Sequence, residues 1–158
     1  MSDPLRLGYR SMGPVILVLN GPNLNMLGVR QPEVYGSSTY ADVVAVCERP
    51  PAAASVAVDV RQTNDEAEML EWIHHAARSK EFAAIVINPA AWTHTSVALA
   101  DALVIPEIPV IEVHISNVHA RESFRHHSYV SPLAAAVIAG CGIAGYGYAV
   151  ARAAALIA

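Results

Sequence analysis

The chain has 158 residues, 54% of them hydrophobic and only 15% charged, with a net charge of −4. That length fits one domain able to bury a core without disulfides or metal. The acidic balance and the absence of a basic run exclude nucleic acid as an expected partner.

The two cysteines, Cys47 and Cys141, fall on different expected elements and form no CxxC. They read as reduced, buried thiols of a cytoplasmic protein. Residues 1–13 carry Arg6 and Arg10 but no apolar segment, which is not the pattern of a signal peptide. A mobile extension is expected there, with Met12 a second candidate start and a single domain over 14–158.

Val15–Leu19 is a continuous run of β-formers and reads as a central strand. Residues 20–37 then hold Gly, Pro, Asn, Arg and Tyr without periodicity. A connection this long points to a functional lid. Thr39 opens a helix to about Glu48, with Thr39-x-x-Asp42 as its capping signal, and Arg49-Pro50-Pro51 stops or kinks it. Val56–Val60 is the second strand. Asn64 or Asp65 caps the next helix, whose core stripe is Met69, Trp72, Ile73 and Ala76, and whose end carries Arg78 and Lys80. Ala84–Ile87 is the third strand, Ser96–Val104 the third helix and Val110–His114 the fourth strand. A short helical piece near Asn117–Phe124 precedes a fifth strand at Ala135–Ala139, and the last helix starts near Gly145.

The uncharged segment Leu133–Ala151 has roughly the length of a membrane span, but Gly140, Gly142, Gly145 and Gly147 interrupt it. It reads as a buried strand, a glycine turn and an Ala-rich helix. With no membrane segment expected, the excess of apolar residues reads as subunit interface.

Strands alternating with helices imply a parallel sheet with right-handed crossovers. Five such units suit an α/β, flavodoxin-like three-layer sandwich of strand order 2-1-3-4-5. In that order strands 1, 3 and 4 are neighbours. Each ends in polar groups: Asn20-Gly-Pro-Asn23, Asn88 followed by Thr93-His94-Thr-Ser, and Glu112-Val-His114-Ile-Ser116-Asn117. Three strand ends delivering amides, imidazoles and hydroxyls to one rim describe a small-molecule site.

Several other patterns carry less. Gly140-Cys-Gly-Ile-Ala-Gly145 matches G-x-G-x-x-G, but no strand or acidic residue follows at the required distance, so a tight strand-to-helix turn is expected. Seven histidines with Glu112 suggest a metal, yet no HExxH or comparable ligand spacing is present. His74, His75 and His119 read as solvated or core histidines, and His126 and His127 as rim residues. There is no G-x-S-x-G elbow and no P-loop. Lys80, the only lysine, sits far in sequence from every polar strand end, which argues against Schiff-base chemistry.

Asn20-Gly-Pro-Asn-Leu-Asn-Met-Leu-Gly28, Arg30-Gln-Pro-Glu-Val-Tyr35-Gly, Thr93-His-Thr-Ser-Val-Ala and Ile111-Glu-Val-His-Ile-Ser-Asn117 closely resemble the type II 3-dehydroquinate dehydratases. The four motifs occur in family order, and the resemblance covers about residues 14–158. It implies a flavodoxin-like fold, a homo-dodecamer built as a tetramer of trimers, and no cofactor. It also implies reversible dehydration of 3-dehydroquinate to 3-dehydroshikimate through an enolate, in aromatic amino-acid biosynthesis or in quinate breakdown.

By resemblance Tyr35 is the base. A phenol ordinarily titrates near ~10, so it needs a nearby cation, which Arg30 can supply. Asn23 resembles the donor to the enolate oxygen, through water. His114 resembles the general acid, with Glu112 holding its ring and keeping it protonated. Asn88, with the backbone N–H groups of Ile115 and Ser116, resembles a carboxylate cradle. His94 and Arg125 resemble contacts to ring hydroxyls, and Asp101 a residue reaching a neighbouring subunit's site. Trp92 stands where the family usually has Tyr or Leu, and Ala90 where Gly is common. Pro50-Pro51 falls where the family usually continues its first helix. The competing reading is a non-catalytic small-molecule binding module on the same scaffold. The paired Arg30/Tyr35 and Glu112/His114 argue against it, since a binder needs neither.

Overall fold

The computed structural model describes residues 13–51 and 54–158. Apart from Gly13, the expected N-terminal extension lies outside the described residues, as does Met12. Strand β1 (Val15–Asn20) runs between β2 (Ala57–Gln62) and β3 (Phe82–Asn88). β4 (Val110–His114) and β5 (Ala136–Ala139) continue outward from β3. All pairings are parallel, and the order is β2-β1-β3-β4-β5, as read from the sequence.

Period-two alternation decides which side chains meet which helices. Ile16 and Val18 of β1, with Val86, Ile111 and Val113, face α2 (Tyr40–Cys47) and α5 (Ala144–Ile157). Leu17 and Leu19, with Ile85 and Ile87, face α3 (Glu66–Ser79) and α4 (Val97–Leu103). Both faces of the central strands are therefore covered, which is why β1 and β3 are apolar without interruption. Fully buried Ala149 and Ala153 let α5 lie close to the sheet.

Local capping explains the helix starts. Thr39 and Asp42 form a reciprocal capping box at α2. Asp65, not Asn64, caps α3 by accepting from the Ala67 N–H. α2 ends at Cys47, two turns long, ahead of the Pro50-Pro51 pair.

Three expectations need correction. The 20–37 connection is not free of regular structure: it contains a 3-10 turn at Leu24–Met26 and a one-turn helix, α1 (Pro32–Tyr35). Pro32 at the first helical position fixes φ for that turn, a local effect that leaves no periodic pattern. The expected single piece at Asn117–Phe124 is two 3-10 turns, Val118–Ala120 and Ser123–His126. Only one cysteine is buried: Cys47 lies in the core, where burial pushes its thiol up to about 12. Cys141 is exposed, because the glycine turn after β5 carries it out of the sheet before α5 begins. That turn occupies the G-x-G-x-x-G match, with Gly140 and Gly142 at φ 83° and 59°. No helix among the described residues is long and apolar enough to cross a membrane.

Register sets the site. Asn20 pairs with both Gln62 and Asn88, so three polar strand ends lie level at the carboxyl edge. Gly21 then donates its N–H to the Asn88 carbonyl at 2.8 Å. A Cβ at Gly21 would sit 2.4 Å from the Pro89 carbonyl oxygen, which is backbone and cannot swing aside. Gly21→Ala is expected to destabilise the fold by about 2 kcal/mol, the scale of an overpacked site. A urea titration should show a lowered midpoint with an unchanged slope; an unchanged midpoint would contradict the close approach.

Candidate active site

Beneath the cleft at the carboxyl edge lies a buried hydrogen-bond chain. Tyr146 of α5, with no exposed surface, donates its hydroxyl to Asn20 Oδ1 at 2.6 Å and accepts from Asn88 Nδ2 at 2.9 Å. Burial pushes the Tyr146 phenol far up, so it remains a neutral donor. Asn20 Nδ2 donates onward to the Arg61 carbonyl, and Asn88 Oδ1 accepts from the Ala90 N–H. The Asn88 side chain lines the cleft with its oxygen and one amide hydrogen already committed.

Ala90 occupies the left-handed region at φ 52°. There its Cβ is strained by roughly 1 kcal/mol, which gives a physical reason for glycine being common at this position in the family it resembles.

Residues of the 20–37 connection line the same cleft. Tyr35, at the end of α1, lines the cleft with Arg30, whose guanidinium carbon lies 5.2 Å from the Tyr35 ring centre. Arg121 approaches the same ring at 5.5 Å and donates from Nη1 to the Tyr35 oxygen at 2.9 Å. Sequence reasoning assigned the cation beside Tyr35 to Arg30 alone. Arg121 is 86 positions away in sequence, and its spacing carries no signal for the contact.

Across the cleft, His114 at the end of β4 faces in, and fully buried Glu112 lies behind it. His114 Nε2 is 2.7 Å from Glu112 Oε1. Because an ionised carboxylate only accepts, Nε2 carries the hydrogen and Nδ1 is the nitrogen left over. The hydroxyls of Ser128, at 2.7 Å, and Ser131 also donate to Glu112. Burial pushes the Glu112 carboxyl up, but hydrogen bonds from His114, Ser131 and Ser128 outweigh it and hold the group below its ordinary range. Neither serine was singled out from the sequence. Ser128 lies on the irregular stretch after the Ser123–His126 turn and Ser131 opens a further 3-10 turn, Ser131–Leu133, where no period identifies an inward-facing residue.

The remaining cleft wall is polar. His94 donates or accepts through Nδ1 with the His127 carbonyl at 2.7 Å; since a carbonyl only accepts, Nδ1 is the donor and Nε2 is left to accept. Burial, with the positive Arg125 nearby, pushes His94 down despite the His127 bond, which favours the neutral ring. Arg125 is oriented by its Nε bond to Glu122 at 2.8 Å. Ile115, Ser116 and Asn23 also line the cleft.

Asp101 is not part of this cleft: it is exposed on α4. Lys80 caps the C-terminus of α3, which runs back against the strands and so ends at the opposite edge of the sheet. Among the described residues, no three His, Cys, Asp or Glu side chains are grouped to hold a metal ion.

A tyrosine and a carboxylate-held imidazole lining one cleft at the carboxyl edge of a 2-1-3-4-5 sheet describe a flavodoxin-like protein with a polar cleft of small-molecule size. The family model described as dehydroquinase class II matches residues 14–154, and the chain belongs to that family. A Streptomyces avermitilis protein named 3-dehydroquinate dehydratase is 60% identical over 142 residues, covering 89% of this chain and 88% of that one. A Pseudomonas aeruginosa protein named 3-dehydroquinate dehydratase 2 is 58% identical, with 85% and 90% covered. The crystal structure of type II dehydroquinase from Propionibacterium acnes superposes with a TM-score of 0.84 at 49% identity, covering 91% of this chain and 98% of that one.

Glu112 also makes a pH-linked contribution to stability. A carboxyl held below its ordinary pKa stabilises the fold above about pH 4.3, and loses that contribution as pH falls through the folded value. Glu112→Gln should cost about 3 kcal/mol at pH 7, the scale of breaking a buried pair. The gap to wild type should narrow below about pH 4. Urea unfolding at pH 7, 5 and 3.5 checks this; a gap constant across that range would contradict an ionised Glu112.

Proposed function

We propose that this chain is a type II 3-dehydroquinate dehydratase, a lyase that removes water from 3-dehydroquinate to give 3-dehydroshikimate. The observation that carries the reading is that Tyr35 and His114 line one cleft, each with a charged partner. Tyr35 is held by two arginines on one side, and His114 is backed by buried Glu112 on the other. The alternative, a non-catalytic binding module, leaves a buried carboxylate–imidazole pair without a purpose.

The reaction needs a proton removed alpha to a ketone and a hydroxyl lost from the beta carbon with a proton. Tyr35 takes the first proton, and positive charge from Arg30 and Arg121 accompanies the negative charge this requires. Electrons move to the ketone oxygen, and the Asn23 carboxamide, through water, stabilises the enolate. As the enolate collapses, the C–O bond breaks and His114 delivers a proton to the departing hydroxyl, leaving as water. Glu112 keeps the imidazole oriented and supports its charge; Ser128 and Ser131 fix Glu112 in turn. The substrate carboxylate is received by the Ile115 and Ser116 N–H groups with the remaining Asn88 amide hydrogen. The His94 acceptor nitrogen and Arg125 meet the ring hydroxyls. No cofactor enters these steps.

The same reading extends to assembly and place. Asp101 lies on a helix flanked by exposed Val97, Val104 and Ile105, an apolar surface suited to another subunit. We infer that Asp101 reaches a neighbour's cleft within a trimer, four trimers forming a cytoplasmic dodecamer of the shikimate pathway. Light scattering should report about twelve subunits; a stable, active monomer at assay concentration would overturn this part.

Activity is tested by the ultraviolet absorbance of the conjugated enone product, with and without prior EDTA. Tyr35→Phe keeps the ring and removes the base, so turnover should fall at least about a hundredfold. Binding of a product-like ligand by calorimetry should persist. Turnover near the wild-type rate in Tyr35→Phe would remove Tyr35 as base, and wild-type turnover lost to EDTA and restored by zinc would remove the metal-free mechanism.

A further inference from the structure

We propose that Asn64, outside the cleft, is a positioning residue that sets the backbone of Asn23. Asn23 has φ 67° and ψ 0°, a left-handed conformation that asparagine enters more readily than most residues but that neighbouring hydrogen bonds must still select. Its side chain does not cap the 3-10 turn it precedes, so the carboxamide is not spent on the local backbone. Its main chain is held from both directions instead. The Asn23 carbonyl accepts from the Met26 N–H at 3.0 Å, and the Asn23 N–H donates to Asn64 Oδ1 at 2.8 Å.

The acceptor is itself fixed. Gln62 Nε2 donates to the same Asn64 oxygen at 3.2 Å and to the Gly21 carbonyl at 3.3 Å. Residues on either side of Asn64 are pinned: the Thr63 N–H donates to the Asn20 carbonyl, and Asp65 caps α3. The segment after β2 thus contributes no lining to the cleft, yet it braces the loop after β1 through one side-chain oxygen. Asn64 is exposed and makes no apolar contribution to either core, so its removal should leave the fold intact.

This inference rests on the proposed role of Asn23 as enolate stabiliser. It makes a specific chemical demand, an oxygen acceptor at the end of the position-64 side chain. Asn64→Asp keeps that oxygen and Asn64→Ala deletes it. Asn64→Ala should lower kcat about tenfold, the scale of one hydrogen bond's contribution, with KM changed less than about twofold. Asn64→Asp should keep kcat within about threefold of wild type at saturating substrate. In an Asn23→Ala background, adding Asn64→Ala should lower kcat no further, because the group being positioned is gone.

Wild-type kcat in Asn64→Ala, an Asn64→Asp variant as slow as Asn64→Ala, or full additivity in the double variant would each overturn the proposal. Asn23→Ala measured alone separates this from the reading beneath it. If that variant turns over at the wild-type rate, the role of Asn23 fails and Asn64 falls with it. If it is slow while Asn64→Ala is not, only the positioning proposal fails.

Discussion

One buried hydroxyl ties the architecture to the site. Tyr146, from the last helix, joins Asn20 and Asn88, the terminal residues of the two central strands. Each of those amides sits in the interior, where an unpaired polar group costs about 1–3 kcal/mol. Placing asparagine at the ends of two apolar strands is tolerable because the phenol hydroxyl meets one atom of each amide and the Arg61 carbonyl and Ala90 N–H meet the others. The consequence is geometric: the carboxyl ends of β1 and β3 are locked level with each other. Everything above them, from Gly21 and Asn23 to Ala90 and His94, starts from that fixed floor.

His114 and Tyr35 stand on different kinds of support. His114 ends a strand buried on every side, with its carboxylate partner held by two serine hydroxyls. Tyr35 ends a single helical turn inside a long connection, packed against the edge of the core with Arg30 and Arg121 at its ring. Strand ends give fixed direction; a connection gives a way in for the substrate. Under the proposed roles, the division places the acid where orientation matters and the base where access matters.

Much of this was readable from residues alone. The five strands, their order and the polar clusters at three strand ends follow from continuous apolar runs that stop at Asn, His and Ser. Capping at Thr39 and the break at Pro50-Pro51 follow from local stereochemistry. What escaped was contact between segments that share no period. Arg121, Ser128 and Ser131 reach the site from 3-10 turns and loops, where side-chain direction depends on tertiary packing rather than on spacing. Tyr146 lies on an Ala-rich helix, where spacing alone carries no signal for its hydroxyl, and only its neighbours reveal that role. Asn64 read equally well as a helix cap, because the same short amide serves either task, and Asp65 took the cap instead. Cys141 read as buried alongside Cys47, but two glycines of positive φ turn it outward.

Ala90 has a bearing on how this sequence can drift. Its left-handed backbone is held by the Asn88 side chain at the cleft wall, so the conformation cannot relax without disturbing the floor. Alanine tolerates that conformation at modest strain, whereas a β-branched residue would meet far greater steric conflict. Position 90 therefore acts as a one-way filter: substitutions toward glycine or asparagine remain open, and those toward valine, isoleucine or threonine are closed. A packing-neutral exchange elsewhere in the chain would be lethal to the cleft here, although the residue carries no chemistry of its own.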